Sequence, residues 1–239
     1  MSNFSLENKV AVVTGGGRGI GAAIAHRLAA LGAAVAITGR SEGPLNQTAE
    51  SIRRAGGQCQ ALLCDVSQWQ QVQRLSQQVK SVFGGLNILV NNAGVGGFSG
   101  ALHELSPEEW ERILNTNLRG AFYCMKAFTP LLIAAGRGDI VNISSIASKN
   151  PLPNGAAYAA SKWGLNGLSY SAAEELRKYK IRVSIVCPGS TNTELSPHEG
   201  KNPDKMLRPE DVANLVGMIV SQPEHAFTSE IVLRPTEKP

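Results

Sequence analysis

Cysteine and histidine are scarce in this chain of 239 residues. The four cysteines, Cys59, Cys64, Cys124 and Cys187, form no Cys-x-x-Cys pair, and the four histidines add no spacing typical of zinc ligands. The sequence therefore predicts neither a metal site nor a disulfide framework.

Long apolar runs and strong charge of one sign are also absent. No segment approaches the roughly 18 uninterrupted apolar residues of a membrane helix, and the opening MSNFSLENK lacks a basic patch followed by an apolar run. The 23 Lys and Arg against 19 Asp and Glu leave a net charge of only +4, which does not indicate a nucleic-acid surface. We expect a cytoplasmic protein that binds neither membranes nor nucleic acids.

Short apolar segments rich in β-branched residues alternate along the chain with longer segments of helical period. The predicted strands are Val10–Val13, Ala33–Thr38, Gln60–Cys64, Asn87–Val90, Asp139–Ile143, Ile181–Val186 and Ile231–Leu233. The predicted helices are Gly19–Leu31, Leu45–Arg54, Gln68–Val82, Pro107–Ala135, Tyr158–Tyr179 and Pro209–Val220. This alternation favours a seven-stranded parallel sheet with helices on both faces, a doubly wound α/β fold of the Rossmann type, formed by residues 1–239 as a single domain.

Local signals add detail to this outline. Ser67 and Ser106 each begin a segment that fits a capping box. The stretch after Ser106 is long for one globular helix, so we expect a bend or break near Asn115–Gly120. The irregular segment 194–206 is rich in Pro, Gly and charge, and is predicted to be a substrate lid.

A glycine-rich turn, TGGGRGIG at Thr14–Gly21, connects the first predicted strand to the first helix. Glycines there allow backbone N–H groups to approach a pyrophosphate at the positive end of the helix. The spacing Gly15-x-x-x-Gly19-x-Gly21 differs from the G-x-G-x-x-G dinucleotide pattern, and a tight turn without a ligand is the alternative. The position between strand and helix favours a nucleotide.

The end of the second predicted strand reads Thr38-Gly39-Arg40-Ser41, where a carboxylate would bind the adenosine ribose of NAD. Arg40 in its place, with Arg18 in the glycine turn, favours a 2′-phosphate and hence NADP(H). Glu42 could still accept from a ribose hydroxyl, which keeps NAD(H) as the alternative cofactor.

Tyr158 and Lys162 lie one helical turn apart, so their side chains share a face. An ammonium group near the phenol would lower its pKa, which suits a proton donor to a carbonyl. Ser145 follows a predicted strand at the edge where ligands of such sheets bind, with Ser144 as a rival. Asn91 and Asn92 end another strand at the same edge.

Taken in order along the chain, these motifs resemble the short-chain dehydrogenase/reductase family, and the front half resembles its 3-oxoacyl-[acyl-carrier-protein] reductases. The segments that carry the resemblance are TGGGRGIG, CDVS, NNAG, NTNLRG, Ser145, YAASK and PGSTNT, from Lys9 to about Thr193. The chain ends RPTEKP instead of the Asp-Gly-Gly close common in those reductases, which argues against carrying over their acyl-carrier-protein specificity and their tetramer assembly.

The resemblance implies a role for each matching residue. Tyr158 would be the catalytic acid/base, and Lys162 would lower its pKa and hold the nicotinamide ribose. Ser145 would orient the carbonyl, and Asn117 would anchor a water of the proton relay, with Asn115 as a rival. The residues implied in cofactor binding, which also include Tyr158 and Lys162, are Gly15, Gly17, Arg18, Gly19, Ile20, Gly21, Arg40, Asp65, Val66, Asn92, Ala93, Gly94, Pro188, Gly189, Thr191 and Thr193.

The predicted function is the NADPH-dependent reduction of a small-molecule ketone, with a 3-oxoacyl thioester as one candidate substrate. The alternatives are an NAD-dependent sugar or alcohol dehydrogenase and a nucleotide-sensing regulatory protein on the same fold. A homodimer or homotetramer is expected through the helices at 107–135 and 158–179. Candidate substrate-lining residues are Val95, Phe98, Leu152, Asn154 and His198.

Overall fold

A computed structural model describes residues 5–96, 100–195 and 200–239. Its strands are β1 Val10–Thr14, β2 Ala34–Gly39, β3 Gln58–Leu63, β4 Ile88–Asn91, β5 Gly138–Ile143, β6 Ile181–Pro188 and β7 Glu230–Leu233. They form one seven-stranded sheet in the order β3-β2-β1-β4-β5-β6-β7, and every pairing is parallel. The predicted fold class is confirmed.

Helices cover both faces of the sheet. They are α1 Gly19–Ala30, α2 Glu42–Arg54, α3 Trp69–Phe83, α4 Pro107–Leu114, α5 Gly120–Ala134, α6 Ala156–Leu176 and α7 Pro209–Val220. One apolar core contains residues of α1, α2 and α7, and the other contains residues of α3, α5 and α6. None of the helices in the described ranges is long and apolar enough to cross a membrane.

The central strand illustrates why the strands are apolar along their whole length. Val12 and Val13 of β1 are both fully buried, yet they belong to different cores because successive side chains of a strand point to opposite faces. A sheet covered on both sides therefore needs apolar residues at every position, as the sequence pattern indicated.

A buried row of polar side chains crosses from the sheet to α6. Asn91 and Asn142 are register partners on β4 and β5, and Asn91 Nδ2 donates to Asn142 Oδ1 at 2.8 Å. Asn142 Nδ2 in turn donates to Ser169 Oγ at 2.8 Å. All three residues are at most 5% exposed, so each hydrogen bond replaces water that these groups have lost.

The expected break in the long helical stretch is confirmed, and its form is a π-helical turn. Asn115–Arg119 is π-helical between α4 and α5, and Gly120 N–H donates to the carbonyl of Asn115. A Cβ at Gly120 would lie 2.8 Å from Val66 Cγ2, so the helix can approach the end of β3 this closely only with glycine. The turn thereby brings the helix close to the carboxyl edge of the sheet.

The capping predictions have different outcomes. Ser106 caps α4, because its hydroxyl accepts from Glu109 N–H at 3.1 Å. The prediction for Ser67 is wrong: α3 begins one residue later than predicted, with Gln68 at the N-cap position, and the Ser67 hydroxyl donates to Asp65 Oδ1 at 2.8 Å. The aspartate two residues earlier competes with the helix for this hydroxyl.

Candidate active site

The glycine-rich turn between β1 and α1 has the backbone that its sequence predicts. Gly15 and Gly19 have φ angles of +67° and +53°, in the left-handed region where glycine is favoured. A Cβ at Gly21 would overlap the Gly15 carbonyl and the Asn92 carboxamide. The turn therefore packs directly against the segment that follows β4. The turn also leads into the N-terminus of α1, and helix N-termini bind anions.

Thr14, the last residue of β1, fixes this contact. Its Oγ1 accepts from the backbone N–H groups of Asn92 and Ala93, each at 3.0 Å. The Asn92 carboxamide returns a hydrogen bond to the Thr14 carbonyl at 2.9 Å. Sequence reasoning assigned no role to Thr14, although the hydroxyl at the end of an otherwise apolar strand was the available signal.

The turn forms one wall of a cleft of about 400 Å³. Most residues predicted to bind a cofactor line it, namely Gly15, Gly17, Arg18, Gly19, Ile20, Gly21, Arg40, Asp65, Val66, Asn92, Ala93, Gly94 and Thr193. Residues not predicted to bind the cofactor also line it, namely Gly39, Ser41, Pro44, Leu45, Cys64 and Thr116, together with Val95 from the predicted substrate side and Glu194 and Leu195 from the predicted lid. This volume lies within the range of small-molecule and cofactor sites.

Two exposed arginines lie at the rim of the cleft. Arg40 follows β2 and makes no ion pair with any described residue, whereas Arg18 in the glycine turn pairs with Glu194 at 2.5 Å. Glu42, the alternative ribose acceptor, is exposed in the first turn of α2 and is not among the described residues that line the cleft.

Tyr158 and Lys162 project from the first turns of α6. The Lys162 side chain is buried, its Nζ donates to the Ile143 carbonyl at 2.9 Å, and Nζ lies 5.7 Å from the centre of the Tyr158 ring. Burial lowers the pKa of Lys162 to about 8, because the charged form has lost water. The ammonium group is thus held at the end of β5 by a backbone carbonyl.

The predicted lowering of the Tyr158 pKa is wrong for this structure. Burial raises the pKa of Tyr158, and a hydrogen bond with the Ser145 hydroxyl only partly opposes the increase. The physical reason is that the buried phenol has lost water, and Lys162, whose Nζ donates to the Ile143 carbonyl, does not offset that loss. The phenol is therefore protonated at neutral pH.

The choice between the two adjacent serines follows from their contacts. Ser144 is buried, and its hydroxyl points toward the backbone carbonyl of Lys162 at 3.4 Å. Ser145 is partly exposed, interacts with Tyr158, and accepts from Ala147 N–H at 3.1 Å. Of the two serines, Ser145 is therefore the one that contacts Tyr158 and is reached by solvent.

Asn117 lies in the π-helical turn with its carboxamide fully occupied. Its Oδ1 accepts from Val95 N–H at 2.8 Å, and its Nδ2 donates to the Val95 carbonyl at 2.9 Å and to Ser161 Oγ at 3.0 Å. The side chain therefore holds the segment after β4 against α6. A water at Asn117 would have to be held by the backbone carbonyl.

Gly94 joins the cleft to these catalytic candidates. It lines the cleft, and a Cβ added to it would lie 3.4 Å from Asn117 Oδ1 and 3.8 Å from Lys162 Nζ. Lys162 and Tyr158 are not among the described residues that line the cleft, but its end at Gly94 lies close to the buried Lys162 ammonium group, which is 5.7 Å from the centre of the Tyr158 ring.

The segment after β6 is only partly directed toward the cleft. Pro188, Gly189 and Thr191 are not among the described residues that line it. Gly189 N–H donates to the Leu233 carbonyl at 2.7 Å, and the buried Thr191 hydroxyl donates to the Gly189 carbonyl at 3.0 Å. These residues hold the segment against the chain that follows β7, and Thr193 reaches the cleft.

Comparison with known proteins identifies the family of this chain. The family model described as short chain dehydrogenase matches residues 9–204. The chain belongs to the short-chain dehydrogenase family. This confirms the resemblance on which the site was predicted.

Relatives of this short-chain dehydrogenase include an uncharacterized oxidoreductase of Staphylococcus saprophyticus, 35% identical over 96% of this chain and 98% of the relative. A metagenomic short-chain oxidoreductase solved in complex with NADP is 45% identical, covers 98% of this chain and 99% of its own, and superposes with a TM-score of 0.87. A Burkholderia cenocepacia short chain dehydrogenase, also in complex with NADP, is 35% identical over 96% of each chain, with a TM-score of 0.88. These complexes agree with the predicted cofactor.

Three of the five candidate substrate-lining residues lie in the described part of the chain. Val95 lines the cleft, Leu152 is partly exposed and Asn154 is exposed, whereas Phe98 and His198 lie outside the described residues. In the predicted lid, residues 200–206 contain a short 3-10 turn at Pro203–Lys205. Lys201 Nζ donates to Ser190 Oγ at 3.2 Å, so this part of the lid is attached to the segment after β6.

Proposed function

We propose that this short-chain dehydrogenase reduces a ketone to a secondary alcohol with NADPH. The observation that carries the proposal is the junction at Gly94, where a cleft of cofactor size comes close to Asn117 and Lys162, with the Tyr158 ring centre 5.7 Å from Lys162 Nζ. The raised pKa of Tyr158 keeps the phenol protonated, as a proton donor to a carbonyl must be.

In the proposed reaction each side chain acts at a stated atom. NADPH, when bound in the cleft, would supply the hydride that reduces the carbonyl carbon. Tyr158 donates its phenolic proton to the carbonyl oxygen, which the Ser145 hydroxyl orients. The Lys162 ammonium stabilises the phenolate left on Tyr158, and the Asn117 backbone carbonyl holds a water through which that phenolate regains a proton.

The choice of NADP(H) over NAD(H) rests on the rim of the cleft. Arg18 and Arg40 are exposed guanidinium groups there, and guanidinium matches phosphate geometry with two hydrogen bonds. Glu42, which would serve a free ribose hydroxyl, is not among the described lining residues. We propose that Asp65 and Val66 contact the adenine, and that Thr193 contacts the nicotinamide side.

We also propose that residues 1–239 act as one domain, with segment 194–206 as the substrate lid. A 3-oxoacyl thioester is one candidate substrate, on the resemblance of the front half of the sequence. Four buried, unbridged cysteines support a cytoplasmic location, where thiols are kept reduced.

We propose a homodimer or homotetramer formed through the helices at 107–135 and 158–179. Large apolar side chains on α5 and α6 are exposed, among them Phe122, Ile133, Trp163 and Tyr170. Exposed groups of this kind favour a contact between copies of the chain. Light scattering at micromolar concentration tests this, and a monomer mass would contradict it.

The function is tested by following the oxidation of NADPH and NADH with a panel of 3-oxoacyl thioesters, sugars and diketones. We expect a ketone of the panel to be reduced, with kcat/KM for NADPH exceeding that for NADH. A preference for NADH would instead indicate Glu42 as the ribose partner. Binding of a nicotinamide cofactor without turnover of any carbonyl would favour a regulatory role.

A further inference from the structure

One contact of the cleft has no part in the reaction described above. Arg18 Nη1 and Glu194 Oε2 lie 2.5 Å apart, although the residues are 176 positions apart in the chain. Both residues line the cleft, and the pair connects its glycine turn to the segment after β6. Thr193 Cγ2 lies 3.3 Å from where a Cβ of Gly19 would be, so the two walls meet at this point.

Because of this ion pair, the guanidinium groups of Arg18 and Arg40 are not equally available to bind a phosphate. Arg40 makes no ion pair or hydrogen bond with a described residue, so its guanidinium is free to meet a phosphate. Arg18 must first leave the Glu194 carboxylate, because its Nη1 is already occupied. A carboxylate and a phosphate offer a guanidinium the same kind of acceptor, so they compete for it.

The strength of the pair allows such an exchange. The side chains of Arg18 and Glu194 are 56% and 71% exposed, so water screens the attraction. Exposed ion pairs of this kind change an equilibrium by only about 1.4- to 5-fold. A doubly charged phosphate can therefore displace Glu194, but binding is weakened by the same factor.

We propose that Glu194 determines cofactor selectivity by holding Arg18 in an ion pair that the 2′-phosphate of NADP(H) must displace. The inference rests on the proposed use of NADP(H). A cofactor without the 2′-phosphate does not need Arg18 and leaves the pair intact. Glu194 therefore narrows the preference for NADPH over NADH below what the two arginines alone would give.

The test measures dissociation constants for NADPH and NADH, and for the fragments 2′,5′-ADP and 5′-AMP, in the wild type and in Glu194→Gln. We expect Glu194→Gln to tighten NADPH and 2′,5′-ADP about 1.5- to 5-fold relative to NADH and 5′-AMP. Glu50→Gln, which breaks an ion pair of the same exposed kind with Arg54 outside the cleft, is the matched control and should leave both ratios unchanged. Because 2′,5′-ADP has no nicotinamide, its response is independent of the catalytic residues.

A second background distinguishes competition for Arg18 from a general effect of charge. In Arg18→Ala, the further change Glu194→Gln should leave the NADPH to NADH ratio unchanged, because no guanidinium is left to release. An unchanged ratio in Glu194→Gln alone, or weaker binding of 2′,5′-ADP, would overturn the inference. If the wild type itself shows no preference for NADPH, the proposed cofactor fails, which is a different outcome from an unchanged ratio in a protein that prefers NADPH.

Discussion

The two ends of the cleft are built in opposite ways. At the inner end, Lys162 and Asn117 are buried and each polar atom of their side-chain ends has a defined partner in the backbone or in Ser161. At the outer end, Arg18 and Arg40 are exposed, with a single ion pair between them and the described chain.

The difference reflects what each end is proposed to do. Proton transfer needs donor and acceptor at fixed positions, so the inner groups are oriented before substrate arrives. Recognition of a phosphate can rely on flexible charged side chains, because the ligand itself brings them to one geometry. The inner end therefore holds its proton-transfer groups at fixed positions. At the outer end, exposed side chains can rearrange around the cofactor that binds.

The largest expected effect is at the inner end. Tyr158→Phe keeps the ring and its packing but removes the proton donor, so turnover should fall by roughly 10²- to 10⁴-fold. Cofactor binding, measured by the shift of thermal unfolding with NADPH, should remain. Tyr179→Phe, on an exposed tyrosine beyond α6, is the matched control. Near-normal turnover in Tyr158→Phe would show that this end is not the reacting centre.

A smaller effect is expected at the outer end. Changing both Arg18 and Arg40 to Ala should reduce the NADPH to NADH preference about 5- to 150-fold, taking roughly 0.5–1.5 kcal/mol for each contact, since both guanidinium groups are exposed and screened by water. Turnover at saturating cofactor should change little, because neither residue reaches the carbonyl. Arg54→Ala, at the end of α2, controls for loss of a surface charge. A large loss of turnover would mean that the two ends are not separable.

The smallest effect concerns stability and follows from the buried charge. Lys162→Met should raise the free energy of unfolding at pH 7 by about 1–2 kcal/mol while abolishing activity, because it removes a desolvated ammonium. The folded pKa of about 8 lies below the unfolded value. The wild type therefore gains stability as pH rises from about 8 toward 10.5, and the advantage of the variant should shrink over that window.

Urea unfolding at pH 7 and pH 10 measures this difference, with Lys178→Met on an exposed lysine as the control. A variant that is less stable than the wild type at pH 7 would indicate that the hydrogen bond to Ile143 outweighs the desolvation of Lys162. The buried Lys162 ammonium would then contribute favourably to the free energy of unfolding.

Predictions from the sequence succeeded where one local rule decides the outcome. The strands were found because a sheet covered on both faces requires continuous apolar runs, and the turn at Gly15 because positive φ favours glycine. The break at Asn115–Arg119 was expected from the length of the helical stretch, but its π-helical form depends on packing against Val66.

Predictions failed where the partner of a side chain is set by residues distant in sequence or by competition between local groups. Ser67 bonds to Asp65 instead of capping α3, and burial raises the pKa of Tyr158, while Lys162 donates to the Ile143 carbonyl. The pairing of Arg18 with Glu194 could not be read from a sequence that separates them by 176 positions. Spacing identified the chemical groups, but not which neighbour each one meets.

The buried row Asn91, Asn142 and Ser169 has a consequence for folding accuracy. If β4 slipped by one residue against β5, the two carboxamides would no longer face each other, and Asn91 Nδ2 and Asn142 Oδ1 would each lose their partner, although Asn142 Nδ2 could still donate to Ser169. The misaligned sheet would then cost about 1–3 kcal/mol for each orphaned group. The row therefore specifies the register of β4 against β5, and this register brings the ends of both strands together at the site.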